Sequence, residues 1–312
     1  MKKKCMTVLT VLLLLNTAMA QTRVAISMND LSTARTVAVA SDVMAELQAE
    51  GFEVEIRDAG MSLSQQTEDI RELAAAGPEY LIIAPARSIG LRDVIQDVAA
   101  QGIKVIMIDR QTTDARATDV LANLCMDAEW AGRQCAQILA EYFDGRDAKV
   151  LEFQGEAASW STYYFTKGFR DALCAYENMQ ICAVLYGEDD RQVSQQELLK
   201  YIEESEVAGE GRGFDAIFGH GDEEALGVIN AYLSIRGMEG ERAPIVCIGG
   251  EDDTISALAA GQMLACVCMP TEYGGLVVEA IRRDMAGEAV EREVLLRGEV
   301  ITAREAADMR GY

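Results

Sequence analysis

A change of hydrophobic period recurs along the whole chain and limits what it can fold into more than any other feature. Short apolar runs suited to strands alternate with longer segments whose apolar residues fall three and four apart. A parallel sheet with crossover helices uses such an alternation repeatedly, because each parallel pairing needs a helix-length connection to bring the chain back. In the first half, strands are expected at residues 23–27, 53–57, 80–84 and 104–108, with helices at 33–49, 64–76 and 90–100 between them. Gly51, Gly77 and Gly102 follow those three helices, where glycine accepts the left-handed turn that closes a helix. After a run at 121–126, strands are expected at 149–153, 182–186, 216–219, 245–248 and 265–268. Helices are expected at 130–143, 162–175, 192–204, 223–236, 254–259 and 272–285. That many strands exceed one five-stranded sheet and suit two doubly wound lobes packed side by side. Only 4 prolines occur and no low-complexity linker separates the halves, so short ordered crossings are expected.

The amino terminus reads as an export leader. Lys2, Lys3 and Lys4 form a basic region, residues 7–15 are apolar, and Ala18-Met19-Ala20 is a small-x-small cleavage site, so cleavage is expected after Ala20. The apolar run falls short of the roughly 20 residues that span a bilayer. Cys5 precedes that run, which leaves no lipid-attachment cysteine after the cleavage site. The remaining 292 residues carry 25 basic against 51 acidic side chains, a net charge of −26 spread along the chain. Such a surface repels nucleic acid and anionic lipid, so neither is an expected partner.

Seven cysteines follow the leader. Cys174, at an expected helix end, and Cys182, at the next strand, are either a disulfide across one turn or two separate thiols. Cys266 and Cys268 flank Val267 and share one face of a strand, but no C-x-x-C pair or His/Cys ligand spacing accompanies them, so no metal or other cofactor is expected. His220 is the only histidine and lies at a strand end without a nucleophile elbow, which makes it a structural or pocket-rim residue.

The segment KVIMIDRQ, residues 104–111, delivers Asp109 and Arg110 at the carboxyl end of an apolar strand, where open α/β sheets place their ligands. A carboxylate accepts hydrogen bonds from neighbouring hydroxyls and a guanidinium donates through a planar fork, so the pair suits a polyol. In WSTYYF, residues 160–165, Trp160, Tyr163 and Tyr164 share a helix face while Phe165 points elsewhere. An aromatic there either packs in the core or covers a sugar's C–H face.

These landmarks resemble the sugar-binding proteins of bacterial ABC importers, the ribose-binding type of type I periplasmic binding proteins, and most closely their galactofuranose-binding branch. The resemblance rests on LIIAPARSIG at 81–90, VIMIDRQ at 105–111, LEFQG at 151–155, KGF at 167–169, FGHGDEEALG at 218–227, IGG at 248–250 and the terminal MRGY. It implies two α/β lobes, 21–127 plus 271–297 and 128–270 plus 298–312, joined by three crossing segments near Asp127, Pro270 and Arg297. It also implies a periplasmic, monomeric protein that closes on one small ligand and delivers it to a membrane permease. Asp109 and Arg110 match the family's hydroxyl-gripping pair, and Asp222 sits in its Asn-Asp pocket segment with Gly221 in place of the Asn. Phe165 stands where the family usually carries a pocket Arg, Gly249 where it carries a ligand Asp, and Arg35 near a stacking aromatic. Glu156, Trp160 and Glu251 are the candidate substitutes for those lost contacts.

The expected ligand site is therefore Asp109, Arg110, Asp222, Phe165, Arg35 and Trp160, for a carbohydrate or carbohydrate-like molecule. The alternative is a sensing module that reports ligand occupancy to a membrane receptor. An enzyme is not expected, because no nucleophile, metal set or catalytic carboxylate pair is identifiable.

Overall fold

The structure, a computed structural model, describes residues 21–112, 120–157, 159–209, 211–235, 242–307 and 309. The leader at 1–20 and the terminal MRGY apart from Met309 lie outside the described residues.

The first lobe begins with β1 (Arg23–Met28), α1 (Ala34–Ala49), β2 (Glu53–Asp58), α2 (Leu63–Ala75), β3 (Tyr80–Ile83), α3 (Arg92–Ala100), β4 (Lys104–Asp109) and β5 (Ala122–Met126). The second contains α4 (Ala128–Phe143), β6 (Ala148–Gln154), α5 (Trp160–Leu173), β7 (Met179–Tyr186), α6 (Arg191–Val207), β8 (Ala216–Gly219), α7 (Asp222–Ser234), β9 (Ile245–Gly249), α8 (Asp252–Ala259) and β10 (Ala265–Cys268). The chain then returns through α9 (Gly274–Ala286) and β11 (Glu293–Leu296) and ends with β12 (Glu299–Thr302) and α10 (Ala303–Ala306).

Two six-stranded sheets result, ordered β11-β5-β4-β3-β1-β2 and β12-β10-β9-β8-β6-β7. Every pairing is parallel except the antiparallel β10–β12 edge. The central strands are buried on both faces, as β3 is at all four residues, so they read as continuous apolar runs rather than alternating ones. Helices cover both faces of each sheet and give each lobe two apolar clusters. Each fully buried Leu, Ile or Phe in them contributes on the order of 1.5–3 kcal/mol.

The chain crosses between sheets at Asp127, at residues 269–273, and at Arg297 with Gly298. Asp127 holds two of these crossings together. Its backbone N–H donates to Leu296 O at 2.7 Å, while its carboxylate caps α4 through Trp130 N at 3.0 Å and accepts from Arg297 Nε at 3.0 Å. Gly298 packs so closely on Cys268 O that a Cβ would overlap it, which locks the third crossing to the second.

The three expected helix-closing glycines adopt positive φ of 80°, 70° and 87° at Gly51, Gly77 and Gly102. Two local readings change. β7 begins at Met179, so Cys182 is its fourth residue rather than its first, and both Cys174 and Cys182 are free thiols. Strands β11 and β12 and the short helix α10 were not anticipated, because four-residue segments split by Arg297 and Gly298 are too brief to show a period.

Candidate functional site

The carboxyl ends of both sheets face one another across the crossings. Between them lies a cavity of about 400 Å³ lined from both lobes, by Asn29, Asp30, Arg35 and Arg110 on one side and Phe165, Asp189, His220 and Asp222 on the other. In each sheet the strand order reverses there, between β1 and β3 and between β6 and β8, which is where open α/β sheets form a crevice.

On the first lobe the end of β4 turns abruptly. Asp109 has φ 66°, a strained conformation for a residue with a Cβ, and Arg110 N donates back to Ile108 O at 2.8 Å. The turn separates the two side chains. Arg110 lines the cavity, whereas Asp109 is 2 % exposed and does not. Its carboxylate instead takes a two-pronged ion pair from Arg35, with Arg110 Nε at 3.5 Å and Tyr273 Oη at 3.5 Å. Burial would raise the Asp109 carboxyl, but the charges of Arg35 and Arg110 outweigh it and hold the group below the usual carboxylate range. Arg35, at the start of α1, also donates to Pro270 O at 3.2 Å, so the first lobe's wall is tied to the second crossing.

The second lobe's wall is built on a close helix pair. Cβ atoms at Gly132 of α4 or Gly168 of α5 would collide with the facing helix backbone, so the two helices meet almost backbone to backbone. Phe169 stacks on Phe218 of β8 at 4.1 Å, which seats α5 on the sheet and brings Phe165 edge-on to the His220 ring at 5.8 Å. His220, 4 % exposed, approaches Glu152 Oε1 with Nε2 at 3.1 Å. Glu152, fully buried on β6, also accepts from Arg170 Nη2 at 2.6 Å and Thr166 Oγ1 at 2.8 Å. Burial raises the Glu152 carboxyl, yet these donors overcome it and keep it ionised well below the ordinary range. Burial lowers the His220 pKa against the pull of Glu152, so the ring is neutral near pH 7 and donates Nε2–H.

Asp222 is the first residue of α7, with Gly221 at the N-cap, so it does not cap its own helix. Its carboxylate accepts from Gly250 N at 2.9 Å and Glu251 N at 3.2 Å, fixing the loop before α8. A Cβ at Gly249 would overlap that carboxylate, so Asp222 occupies the room that a larger residue 249 would need. Burial raises the Asp222 pKa.

Five of the six expected site residues therefore gather at one place, four on the cavity wall and Asp109 bound to Arg35 behind it. Trp160 lines an adjoining hollow of about 450 Å³, which shares Arg110, Glu156 and Ser159 with the cavity. The suggested substitutes Glu156 and Glu251 also line the cavity. Sequence reasoning missed Asn29, Asp30, Asp189 and Glu224; Asn29 and Asp30 follow β1 directly, and position at a strand's carboxyl end was the signal available for them. Among the described residues no group of three or more His, Cys, Asp or Glu side chains is arranged to hold a metal ion, and no helix is long and apolar enough to cross a membrane.

Residues 24–289 match the model of the periplasmic binding protein domain. The chain belongs to the periplasmic binding protein family. Among curated relatives, the ribose import binding protein RbsB of Bacillus subtilis is 25% identical over 273 residues, covering 87% of this chain and 84% of that protein. The galactofuranose-binding protein YtfQ of Escherichia coli is 21% identical over 238 residues, covering 76% and 74%. Among solved structures, the binding component of the arabinose ABC transporter of Shewanella sp. ANA-3, bound to α- and β-L-arabinofuranose, superposes with a TM-score of 0.82 at 24% identity over 92% of this chain and 93% of that one. The two parallel-sheet lobes described above are thus the type I architecture of this family.

Proposed function

We propose that this chain is an exported solute-binding protein that captures a small carbohydrate or carbohydrate-like molecule between its lobes and delivers it to an ABC permease. The observation that carries the reading is the cavity of about 400 Å³ lined by both lobes at the carboxyl ends of both sheets, a volume in the range of small-molecule sites. A ligand touching both walls favours the closed arrangement, and the shift in population is what a permease would read. Arg110 and Arg35 supply donors to hydroxyls, with Asp109 holding both guanidiniums in place; Asp222 and Glu251 supply acceptors, and Phe165 and Trp160 supply apolar surface. Relatives named for ribose and galactofuranose binding favour a sugar-sized polyol.

In the same reading, residues 1–20 are removed on export, the lobes comprise 21–127 plus 271–297 and 128–270 plus 298–312, and the mature protein works as a periplasmic monomer without catalysis. Mass spectrometry of what co-purifies with the folded protein, followed by calorimetry against pentoses, hexoses and polyols, tests it. Binding of any of them that survives Arg110→Ala within threefold would place the ligand elsewhere.

A sensing role is the second reading, favoured by the fold shared with the fructose-binding periplasmic domain of a hybrid two-component system, which superposes with a TM-score of 0.77 at 20% identity over 92% of each chain. Reconstituted uptake with a permease separates the two, since a pure sensor leaves transport unchanged.

A further inference from the structure

The two walls of the cavity differ in charge. On the first lobe, Arg35 and Arg110 both lie against Asp109, and the remaining acid, Asp30, accepts from Ser32 N and Oγ. On the second, Asp189, Asp222, Glu224 and Glu251 line the cavity, and none of them makes an ion pair with a basic side chain among the described residues. The overall acidity of the chain does not account for this, because surface carboxylates are solvated whereas Glu224 is 0 % exposed.

Asp189 and Glu224 meet at Gly221. A Cβ placed on that glycine would lie 2.5 Å from Glu224 Oε2 and 3.9 Å from Asp189 Oδ1, so the missing side chain leaves the two acids flanking one point. Glu224 Oε1 accepts from Asp189 N at 3.0 Å, but Oε2 has no hydrogen-bond partner among the described residues. A second unpartnered atom of different chemistry lies on the same wall. The His220 ring donates Nε2–H to Glu152, which leaves Nδ1 an acceptor, and Nδ1 also has no partner among the described residues. The buried polar atoms left over on this wall are therefore His220 Nδ1, an acceptor, and Glu224 Oε2, which becomes one when the carboxyl gives up its proton, while the exposed Asp189 carboxylate flanks the same point.

We infer that the ligand of this cleft carries a positively charged amine: an amino sugar or aminated polyol whose ammonium sits against Asp189 and Glu224 and whose hydroxyls face Arg110. The inference rests on the carbohydrate reading above and narrows it. An ammonium offers three donors and a charge: beside the Asp189 carboxylate it favours the ionised form of Glu224, whose carboxyl holds its proton in the empty cleft and releases it to solvent on binding, and a hydroxyl does not. A neutral sugar hydroxyl brings one donor to the same place.

Calorimetry at pH 6.5 with matched compounds tests this: D-glucose, D-galactose and myo-inositol against D-glucosamine, D-galactosamine and scyllo-inosamine, with the N-acetylated hexosamines as uncharged controls. At least one amine is expected to bind tenfold or more tighter than both its hydroxyl counterpart and, for the hexosamines, its N-acetyl form. That preference should shrink at least tenfold in the Asp189→Asn, Glu224→Gln double variant, with circular dichroism verifying its fold. If the neutral compounds bind as tightly as their amines, the amine inference is overturned and the carbohydrate reading stands. If no compound of either set binds, the amine inference is overturned, and the pentoses of the wider panel decide the carbohydrate reading. The comparison on the unaltered protein decides the matter even if the double variant fails to fold.

Discussion

Replacing Glu224 by Gln should make the protein more stable, by an amount that grows as pH rises. Burial, with the nearby Asp189 charge adding to it, pushes the Glu224 carboxyl from 4.5 up to about 8. A raised folded-state pKa means that the contribution of the protonated group is complete below pH 4.5. Between there and about 8 the unfolded chain ionises while the folded one stays protonated, and stability falls by about 1.4 kcal/mol per pH unit. Over that window the loss approaches about 5 kcal/mol, and about 3 kcal/mol remains if the shift is one unit smaller. Gln keeps the shape and the acceptor for Asp189 N but cannot ionise, so it removes the loss. Asp222 and Glu251, which burial also raises, are common to both proteins and cancel in the difference. Urea unfolding of both proteins at pH 5, 7 and 9 should give nearly equal stability at pH 5 and an advantage to Glu224→Gln that grows to about 3–5 kcal/mol at pH 9. A difference that stays constant with pH, or that grows in favour of the unaltered protein, would refute the argument that this carboxyl is buried without a cation.

Asp109→Asn should destabilise the protein by about 3–5 kcal/mol at pH 7, because two partly buried guanidiniums lose the charge that balances them. The folded pKa of Asp109 is lowered, so its stabilisation is present above 3.8 and lost as pH falls through the folded value; thermal melts at pH 7 and pH 2.5 should show the deficit shrinking in acid. Gly132→Ala should cost more than 2 kcal/mol on the order of an overpacked core and weaken ligand binding, since the added methyl collides with Phe165 O and drives α5 away from α4. Gly275→Ala is the matched control: a Cβ there meets nothing within 4 Å, so the helix should gain about 0.5 kcal/mol in a urea melt. Gly249→Ala should displace Asp222 from Gly250 N and Glu251 N and lower ligand affinity at least tenfold by calorimetry.

Much of the fold was legible because parallel sheets write themselves as local pattern. Strands β8 and β10 coincide residue for residue with the runs expected at 216–219 and 265–268, since each is a short apolar block bounded by breakers. Helix ends were legible at Gly51, Gly77 and Gly102 for the same local reason, a left-handed residue that glycine alone adopts freely. Cys174 and Cys182 illustrate the limit. Their separation in the chain suited a bridge, but the pairing of β7 with β6 starts at Met179 and carries Cys182 into the sheet, where it donates to Val150 O at 3.4 Å.

The site divides along the same line between local and assembled features. Arg110 was legible because it ends an apolar strand, but nothing local announced that Asp109 would take a left-handed turn and meet Arg35, 74 residues earlier in the chain. The acidic wall was harder still. Asp189 follows β7, Gly221 follows β8 and Glu224 lies in the first turn of α7, and each of these acids looks like one more contribution to a net charge of −23 until the strand ends converge. Convergence changes the chemistry: an acid that is solvated and inexpensive on a surface becomes, at 0 % exposure beside another carboxylate, a group that either holds its proton or requires a cation. The same pair of residues therefore governs two measurements, the loss of stability with rising pH in the empty protein and the preference for an amine in the occupied one. Neutralising Glu224 should remove both together, whereas a purely structural role for that carboxyl would tie it to the first alone.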